Sequence, residues 1–307
     1  MPRIHLDTDI GGDMDDVCAL AMLLKWPNLE ITGVTTVSDE AGRRAGYVSY
    51  VLGLMERSDI PYAAGADVSG GYYRHKLDYP PEEENWLEPI TPQPGSADKA
   101  VALLKHSIEQ GAIIVGIGPY TNLMLLEKAY SGILKQANLF LMGGYVFDIP
   151  SGYPQWGRNM DYNIQVDVHS ARYVLEHATP TLIPLTVTCQ TALRRAYLPR
   201  LAEAGRLGQL IVLQAELCAR SEQNEQHYGQ TCPRLPKDII NFQHDPLACA
   251  IALGWHQGVE IETVPLKLET REGWLYEIPD SDGIPTRLVT KIDGNTFNEY
   301  WCDILCR

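Results

Sequence analysis

The stretch IHLDTDIGGDMDDVCAL, residues 4–20, places five aspartates between positions 7 and 16, directly behind a short apolar strand. An apolar helical pattern follows the last two aspartates, so the stretch predicts a strand, a polar turn and a helix. Such units are the building blocks of α/β folds. Carboxylates placed side by side repel one another and lose solvation in an enclosed site. We therefore expect a positively charged partner at this turn.

The same alternation of strand and helix continues along most of the chain. Short apolar runs predict strands at 3–8, 29–37, 112–117, 137–142, 181–188 and 259–268. Helical patterns lie between them at 15–26, 43–57, 97–110, 121–130, 168–177 and 246–253. Near-continuous apolar strands that alternate with helices indicate a parallel sheet covered on both faces. The predicted fold is α/β, with an open, mostly parallel (Rossmann-like) sheet whose ligands collect at the carboxyl ends of its strands.

Length and composition predict one globular domain. Of 307 residues, 45% are hydrophobic and 21% are charged, which is ordinary for a protein with a sizeable core. No internal repeat or low-complexity linker divides the chain, so residues 1–307 are expected to form a single domain. Residues at about 193–240 are polar and helical, and we expect an insertion there near the site. Residues 66–95, rich in Gly, Pro, Tyr and Glu, are expected to form an irregular loop and are a candidate lid.

Charge and targeting features exclude several classes of partner. With a net charge of −14, the chain is a poor match for nucleic acid or an anionic membrane surface. The amino terminus carries no apolar signal region, and no run approaches the roughly 18 apolar residues of a membrane span. The seven cysteines form no CxxC pair, which indicates reduced, mostly buried thiols. We expect a soluble cytoplasmic protein.

The crowded aspartates suit a hard divalent cation. Ca²⁺ binds about six to eight oxygen ligands, largely carboxylates, carbonyls and water. Asp9 and the pair Asp15-Asp16 flank Gly11-Gly12, a turn that can fold the chain around one point. The alternative is that Asp15 and Asp16 only favour the start of a helix through its dipole. Five acidic residues around two glycines favour the cation site.

A second candidate segment is NFQHDPLACA, in which His244-Asp245 precedes an apolar helix. Asp245 followed by Pro246 is also a suitable start for a helix, with Asp245 as the N-cap. The dipeptide therefore supports either a capping role or a metal ligand beside a proton donor. Other parts of the sequence have to decide between them.

Two further segments carry polar residues at expected strand ends. GIGPYTNL, residues 116–123, is an incomplete dinucleotide fingerprint because Thr121 stands where the last glycine belongs, which argues against a dehydrogenase. Its tight turn could instead point a backbone carbonyl into the site. In RNMDYNIQVD, residues 158–167, Asp161 and Asn163 would face the same side of an extended segment and could bind neighbouring hydroxyl groups.

Taken in this order, these pieces resemble the inosine-uridine preferring nucleoside hydrolase family. The motifs DTD and DD near the amino terminus are similar to the family's signature, and GPYTNL resembles its Thr-Asn turn. LFLMGG resembles its Met-Gly-Gly strand end, MDYNIQVD its Glu-aromatic-Asn segment, HDPLACA its His-Asp helix start and LKLETREG its final Thr-Arg-Gly stretch. The likeness runs nearly end to end.

The resemblance implies the nucleoside hydrolase fold and a calcium-dependent enzyme. The implied reaction is hydrolysis of the N-glycosidic bond of ribonucleosides, which gives ribose and a free nucleobase. The implied Ca²⁺ ligands are the carboxylates of Asp9, Asp16 and Asp245 and the backbone carbonyl of Thr121. The resemblance also implies a role in nucleoside catabolism and purine or pyrimidine salvage, and a homodimer or homotetramer.

The resemblance also assigns the groups that act on the substrate. Asp15 is the implied general base for the attacking water, and His244 is the implied acid that protonates the leaving base. Asp161 and Asn163 are implied to bind ribose hydroxyls. These residue types suit the reaction, because cleavage builds positive charge on the ribose ring and negative charge on the base.

Two departures from the family pattern affect these assignments. The first loop has two extra residues before the Asp-Asp pair, so Asp13 is an alternative for a base or metal role. TTVSDEAG stands where Gly-Asn is common, so the ribose-binding amide is missing, and Asp39 or Glu40 occupies its neighbourhood, with Glu40 as the candidate substrate-binding residue. The candidate residues for stacking on the nucleobase are Tyr72, Tyr73, Trp156, Tyr162 and His227.

Two other functions are consistent with parts of the sequence. The departures around Glu40 and Asp161 would also suit a homologue that binds calcium and a ribosyl ligand without turnover. HLDTDIGG further satisfies the Asp-x-Asp start of haloacid dehalogenase-like phosphatases, with Asp7 as nucleophile and Asp9 as acid or base. The phosphatase alternative leaves the GPYTN and HDP segments unexplained.

Overall fold

The computed structural model describes residues 1–67 and 82–307, and a nine-stranded sheet lies at its centre. The strands are β1 Arg3–Thr8, β2 Glu30–Thr36, β3 Tyr62–Ala64, β4 Ile113–Gly116, β5 Asn138–Met142, β6 Thr181–Ile183, β7 Leu193–Arg194, β8 Ile239–Asn241, β9 Glu260–Arg271, β10 Trp274–Pro279 and β11 Ile284–Lys291. The helices are α1 Asp15–Lys25, α2 Arg43–Leu54, α3 Glu82–Asn85, α4 Ala97–Glu109, α5 Thr121–Ala129, α6 Tyr162–Gln165, α7 Val168–His177, α8 Leu185–Thr188, α9 Leu198–Glu203, α10 Arg206–Ser221, α11 His244–Ala252 and α12 Gly294–Leu305.

The strand order in the sheet is β10-β9-β11-β6-β5-β4-β1-β2-β3. All neighbours from β11 to β3 pair in parallel, whereas β9 and β10 add two antiparallel strands at one edge. The chain passes from β1 outward to β2 and β3, and then returns to β4 on the other side of β1. This change of direction opens a crevice at the carboxyl ends of β1 and β4, where α/β sheets bind ligands.

Apolar layers cover both faces of the sheet. On one face, Ile4 and Leu6 of β1 pack in a cluster with α1, α2, α10, α11 and α12. On the other face, Ile114 of β4 packs with α4, α5 and α7. The indole of Trp301 in α12 donates to the carbonyl of Cys18 in α1 at 3.3 Å, which links the carboxyl-terminal helix to the first one.

The turn between β1 and α1 depends on one glycine. Gly11 has a φ of +103°, a conformation that side chains rarely adopt. A Cβ at this position would also lie 2.3 Å from the ring of Tyr47. Glycine is therefore required here for two reasons, and the turn brings Asp9 back towards the start of α1.

The structure corrects two of the predicted strands. The segment predicted as a strand over 181–188 ends after Ile183, because Pro184 offers no backbone N–H for the ladder and the chain turns into α8. The last predicted strand is longer than expected and antiparallel, since β9 and β10 form a hairpin. The fold class is nevertheless the predicted one, a mostly parallel α/β sheet.

The segment at about 193–240 holds β7, α9, α10 and β8, and β7 pairs with β8 in a separate two-stranded sheet. A single domain with an insertion there remains a prediction. Along residues 1–67 and 82–307, no helix combines the length and the apolar character that a membrane crossing needs.

Candidate active site

A cavity of about 1000 Å³ opens at the carboxyl ends of β1, β4 and β5. Its floor comes from the turn after β1, from Ile117 after β4 and from Met142 at the end of β5. The remaining walls come from α3, α10, the start of α11 and the segment around Asn163. The predicted site residues Asp9, Asp15, Asp16, Asn163, His244 and Asp245 all line this cavity.

Three carboxyl groups meet on the floor of the cavity. Ligand oxygens of Asp15, Asp16 and Asp245 lie within 4.8 Å of one another, and all three side chains are buried. Asp245 lies in the cluster because it is the second residue of α11, which begins at His244. The backbone N–H of Asp245 donates to Asp15 Oδ2 at 3.4 Å. Thr8 holds Asp16 by donating its hydroxyl to Oδ1. The structure thus joins residues 230 positions apart in one acidic cluster.

The electrostatics of this cluster favour a cation. Burial raises the pKa values of Asp15, Asp16 and Asp245 well above the usual range, and repulsion among neighbouring aspartates raises them further. Burial also raises the pKa of Asp9. Because ionised carboxylates this close together are costly without a counter-charge, a hard divalent cation would suit these oxygen donors.

Arg44 is a buried cation in the same cavity. Its side chain is held in one orientation, because Nε donates to the carbonyl of Ser38 at 2.9 Å and Nη1 to the carbonyl of Ile10 at 2.8 Å. Its charge lowers the pKa of Asp9 and of Asp16. Arg44 therefore offsets part of the negative charge on the cavity floor.

Asp39 fixes the start of α2 and thereby the position of Arg44. Its carboxylate accepts from the backbone N–H of Arg44 at 2.8 Å and of Ala45 at 2.9 Å, and from the hydroxyl of Thr36 at 2.6 Å. Asp39 is buried and does not line the main cavity. Its role in this structure is that of a helix cap.

We expect Asp39→Ala to lower the free energy of unfolding by about 1–3 kcal/mol, because it removes a cap and leaves buried donors unpaired. Chemical denaturation measures this difference. Glu203→Ala, which removes an exposed acid from α9, is the control and should change stability by no more than about 0.5 kcal/mol. Equal stability of the two variants would contradict the capping role.

His244 lies beside the acidic floor and against an aromatic wall. Its ring stacks on Phe242 with centroids 5.5 Å apart, and Trp156 packs edge-on against Phe242 at 4.9 Å. Trp156 also donates to the hydroxyl of Tyr228 at 3.1 Å. His244 Nδ1 bonds to Thr188 Oγ1 at 2.7 Å, which fixes the ring plane and leaves Nε2 for another partner. Burial lowers the pKa of His244 to about 4, so the ring is neutral at pH 7.

Ile117 lines the cavity, whereas the predicted Thr121 does not. The side-chain amide of Asn163 donates to the carbonyl of Ile117 at 3.0 Å and to that of Met142 at 3.2 Å. Thr121 already belongs to α5, and its hydroxyl donates to Asp167 at 2.6 Å. The turn therefore reaches the cavity at Ile117, four residues before Thr121.

Two other predicted substrate-binding residues lie outside the cavity wall. Asp161 is fully buried behind it, and its Oδ2 accepts from the backbone N–H of Gly144 at 2.8 Å. Glu40 is exposed on the turn before α2 and is not among the lining residues. Asp13 lines the cavity, where it accepts from Asn241 at 2.5 Å and from the backbone of Met14 at 2.6 Å.

Of the stacking candidates, Trp156 and Tyr162 line the cavity, whereas His227 does not. Tyr72 and Tyr73 lie outside the described residues, as do residues 68–81 of the candidate lid. Sequence reasoning missed Tyr228 and Phe242, which complete the aromatic wall. In the sequence, Phe242 is indicated only by its position two residues before His244. Nothing in the sequence indicates Tyr228.

Asp7 does not have the position that a nucleophile needs. It is buried outside the cavity lining, and Oδ1 accepts from Thr35 at 2.6 Å and from the amide of Asn122 at 2.8 Å. Asn122 also donates to the carbonyl of Thr36 at 2.8 Å. Asp7 and Asn122 thus join β1 and β2 to the start of α5, which does not favour the phosphatase alternative.

Comparison with known proteins gives one consistent family. A sequence model of the inosine-uridine preferring nucleoside hydrolase family matches residues 4–299 of this chain. The pyrimidine-specific ribonucleoside hydrolase RihA of Salmonella paratyphi C (strain RKS4594) is 29% identical over 218 residues, covering 66% of this chain and 66% of the relative. The chain thus covers just under two thirds of the length of the curated relatives it matches.

Solved structures resemble the chain over nearly its whole length. A plant nucleoside hydrolase, PpNRh1, has a TM-score of 0.79 at 18% identity, covering 99% of both chains. The purine-preferring ribonucleoside hydrolase from Gardnerella vaginalis has a TM-score of 0.78 at 18% identity, covering 99% of this chain and 98% of the other. At this level of identity the likeness concerns the fold alone, and the predicted fold is confirmed.

Proposed function

Because the chain belongs to the inosine-uridine preferring nucleoside hydrolase family that its motifs predicted, we propose that it hydrolyses the N-glycosidic bond of ribonucleosides. The products are ribose and a free nucleobase. The observation that carries the proposal is the meeting of Asp15, Asp16 and Asp245 beside His244 in one cavity. In the proposed reaction the carboxyl oxygens would serve as metal ligands and as the base, and the His244 ring would contact the nucleobase.

The proposed cofactor is Ca²⁺, held by the carboxylates of Asp9, Asp16 and Asp245. Buried oxygen donors without an equal positive charge nearby fit a hard cation of this kind. Since Ile117 lines the cavity and Thr121 does not, we propose the backbone carbonyl of Ile117 in place of that of Thr121 as a further ligand. When bound, Ca²⁺ would orient the attacking water and increase its acidity.

Asp15 is the proposed general base. Its carboxylate lies in the floor cluster and is close enough to the proposed ligands to reach a water that also contacts the cation. It would accept one proton from that water as the oxygen attacks the anomeric carbon of ribose. Neighbouring carboxylates would favour the positive charge that develops on the sugar as the bond to the base breaks.

His244 is the proposed donor to the leaving base. Since its ring is neutral at pH 7, it would donate a ring N–H to the base nitrogen as negative charge develops there. The aromatic wall of Trp156, Tyr228 and Phe242 offers flat apolar surfaces for the nucleobase next to this nitrogen. Asn163 is the proposed contact to the ribose hydroxyls, through its side-chain carbonyl, because its N–H groups already serve two backbone carbonyls.

We expect His244→Ala to lower kcat for natural nucleosides by about 10²-fold, because the hydrogen bond from the neutral ring to the leaving base is lost. The same variant should cleave p-nitrophenyl riboside nearly as fast as the wild type, since that leaving group needs no proton. Release of ribose and of nitrophenolate measures the two rates. An equal loss on both substrates would contradict the role of His244 as the hydrogen-bond donor to the leaving base.

The activity itself is tested by incubating the protein with Ca²⁺ and a panel of purine and pyrimidine ribonucleosides, scored for free ribose. We expect release from at least one of them, together with the matching free base. No ribose release from any member of the panel would contradict the proposed reaction.

A homodimer or homotetramer is the assembly we propose, and size-exclusion chromatography with light scattering tests it.

A further inference from the structure

Two buried carboxyl groups lie behind the cavity wall, apart from the acidic floor. Asp161 is 0% exposed and Glu277, in β10, is 1% exposed. Asp161 Oδ1 and both carboxyl oxygens of Glu277 have no hydrogen-bond partner. They make up three of the nine buried side-chain nitrogen and oxygen atoms left unpartnered in the described parts of the chain. Because such atoms are rare in folded proteins, their concentration at one place needs a physical explanation.

Within residues 1–67 and 82–307, one positive charge, that of Arg158, faces this pair. Arg158 Nη1 lies 3.5 Å from Glu277 Oε2, and the guanidinium stacks 3.8 Å from the centroid of the Tyr276 ring. The phenol of Tyr120 also faces the pair, but it is neutral because burial raises its pKa well above 10. With one cation for two carboxyl groups, charge balance requires that one of them keeps a proton.

The pair lies where the hairpin of β9 and β10 meets the segment that carries Asn163. Asp161 precedes α6 and accepts from Gly144 just after β5. At the other end of α6, the side-chain amide of Gln165 donates to the carbonyl of Leu275 at 2.9 Å and accepts from its N–H at 3.0 Å. Any movement of Asp161 against Glu277 would therefore shift Asn163 in the cavity wall.

We propose that Asp161 and Glu277 act as a positioning pair, in which one carboxyl group keeps its proton at neutral pH and residues 158–165, with Asn163, are thereby held in place for the substrate. The inference rests on the hydrolase function proposed above. Loss of the proton leaves two negative charges against Arg158 in a buried place, and the segment shifts to relieve the repulsion. Substrate binding weakens, while Asp15 and His244 keep their positions, so KM changes more than kcat.

The direction of the pH dependence follows from the pKa values of the pair. Burial raises the pKa of Asp161 to about 7 and, together with repulsion from Asp161, that of Glu277 to about 8. Both values lie above those of carboxyl groups in an unfolded chain, so the protonated pair stabilises the fold fully at acidic pH. This contribution is lost as the pH rises through about 8.

The test compares KM between pH 6 and 9 in the wild type and in Glu277→Gln, whose amide imitates the protonated acid. Cytidine or adenosine is the substrate, because neither base changes its ionisation in this range. We expect the wild-type KM to rise by up to about tenfold at pH 9, with kcat changed by less than about twofold. In Glu277→Gln the KM should change by less than about twofold over the same range. Glu262→Gln, on an exposed position of β9, should keep the wild-type profile.

A second variant and a measurement of stability extend the test. The measurement of stability does not require turnover. Asp161→Asn removes the other carboxyl group and should flatten the pH profile in the same way. The unfolding temperature of the wild type should fall between pH 6 and 9 by more than that of either amide variant. This measurement remains valid if no nucleoside is hydrolysed, in which case the proposed function fails and the positioning pair is judged on stability alone. Identical pH profiles in the wild type and both variants would overturn the inference.

Discussion

Removal of divalent cations with excess EGTA should reduce ribose release to the background rate, and addition of Ca²⁺ should restore it. The reason is that Asp16 and Asp245 are ionised only at a high energetic cost without a counter-charge, and the attacking water loses its contact with the cation. Initial rates with EGTA alone and with EGTA saturated by CaCl₂ provide the measurement and its control. Full activity in excess EGTA would contradict the metal assignment.

Calcium should also stabilise the fold, which offers a measurement without turnover. A ligand at one hundred times its Kd stabilises the native state by about 2.7 kcal/mol, which corresponds to about 4 °C in the unfolding temperature of a chain this long. Differential scanning fluorimetry with Ca²⁺ and with Mg²⁺ measures the shift. Asp245→Asn should abolish most of it, since this residue brings the distant carboxylate to the floor.

Asp15→Asn should lower kcat by about 10²–10⁴-fold, because an amide cannot accept the proton of the attacking water. Calcium affinity, measured by isothermal titration calorimetry, should change little, since the amide oxygen occupies the same place beside Asp16 and Asp245. A lower kcat with unchanged calcium affinity would identify Asp15 as a base rather than a calcium ligand. A large loss of calcium affinity would instead make Asp15 part of the ligand set.

Asp13→Asn is the matched comparison for this prediction, since Asp13 lies in the same turn and lines the same cavity. Its carboxylate is already engaged with Asn241 at 2.5 Å and with the backbone of Met14. We therefore expect a much smaller loss of kcat than in Asp15→Asn. The reverse order would move the base role to Asp13.

The central fold could be predicted because its signals are local. The strand, diglycine turn and helix of residues 4–20 are each specified by neighbouring residues, so β1 and α1 start where the periodicity places them. The rule that the carboxyl ends of parallel strands share one edge placed the turn after β1 at the site. Asp245 was assigned by the family resemblance, since α11 follows β8 of the separate two-stranded sheet. The strand predicted over 181–188 was too long, because an apolar run does not show where strand pairing stops. It stops after Ile183, since Pro184 has no backbone N–H to donate.

The site predictions that differ from the structure concern the directions of side chains and backbone carbonyls, which a sequence pattern does not specify. Asp161 and Asn163 were expected on one side of an extended segment, but Asp161 immediately precedes α6, where positions two apart point to different sides. Thr121 does not line the cavity, because α5 begins at this residue and its carbonyl belongs to the helical ladder. Tyr228 reaches the site from a helical turn far from any motif.

The distance along the chain between Asp15 and Asp245 has a consequence during synthesis. A ribosome makes the amino-terminal part of this floor first, and its last carboxylate is added 230 residues after Asp15. A nascent chain therefore cannot capture the ion with full affinity. Metal uptake would then distinguish finished molecules from incomplete ones, and truncated products would lack its stabilisation and be left to cellular proteases.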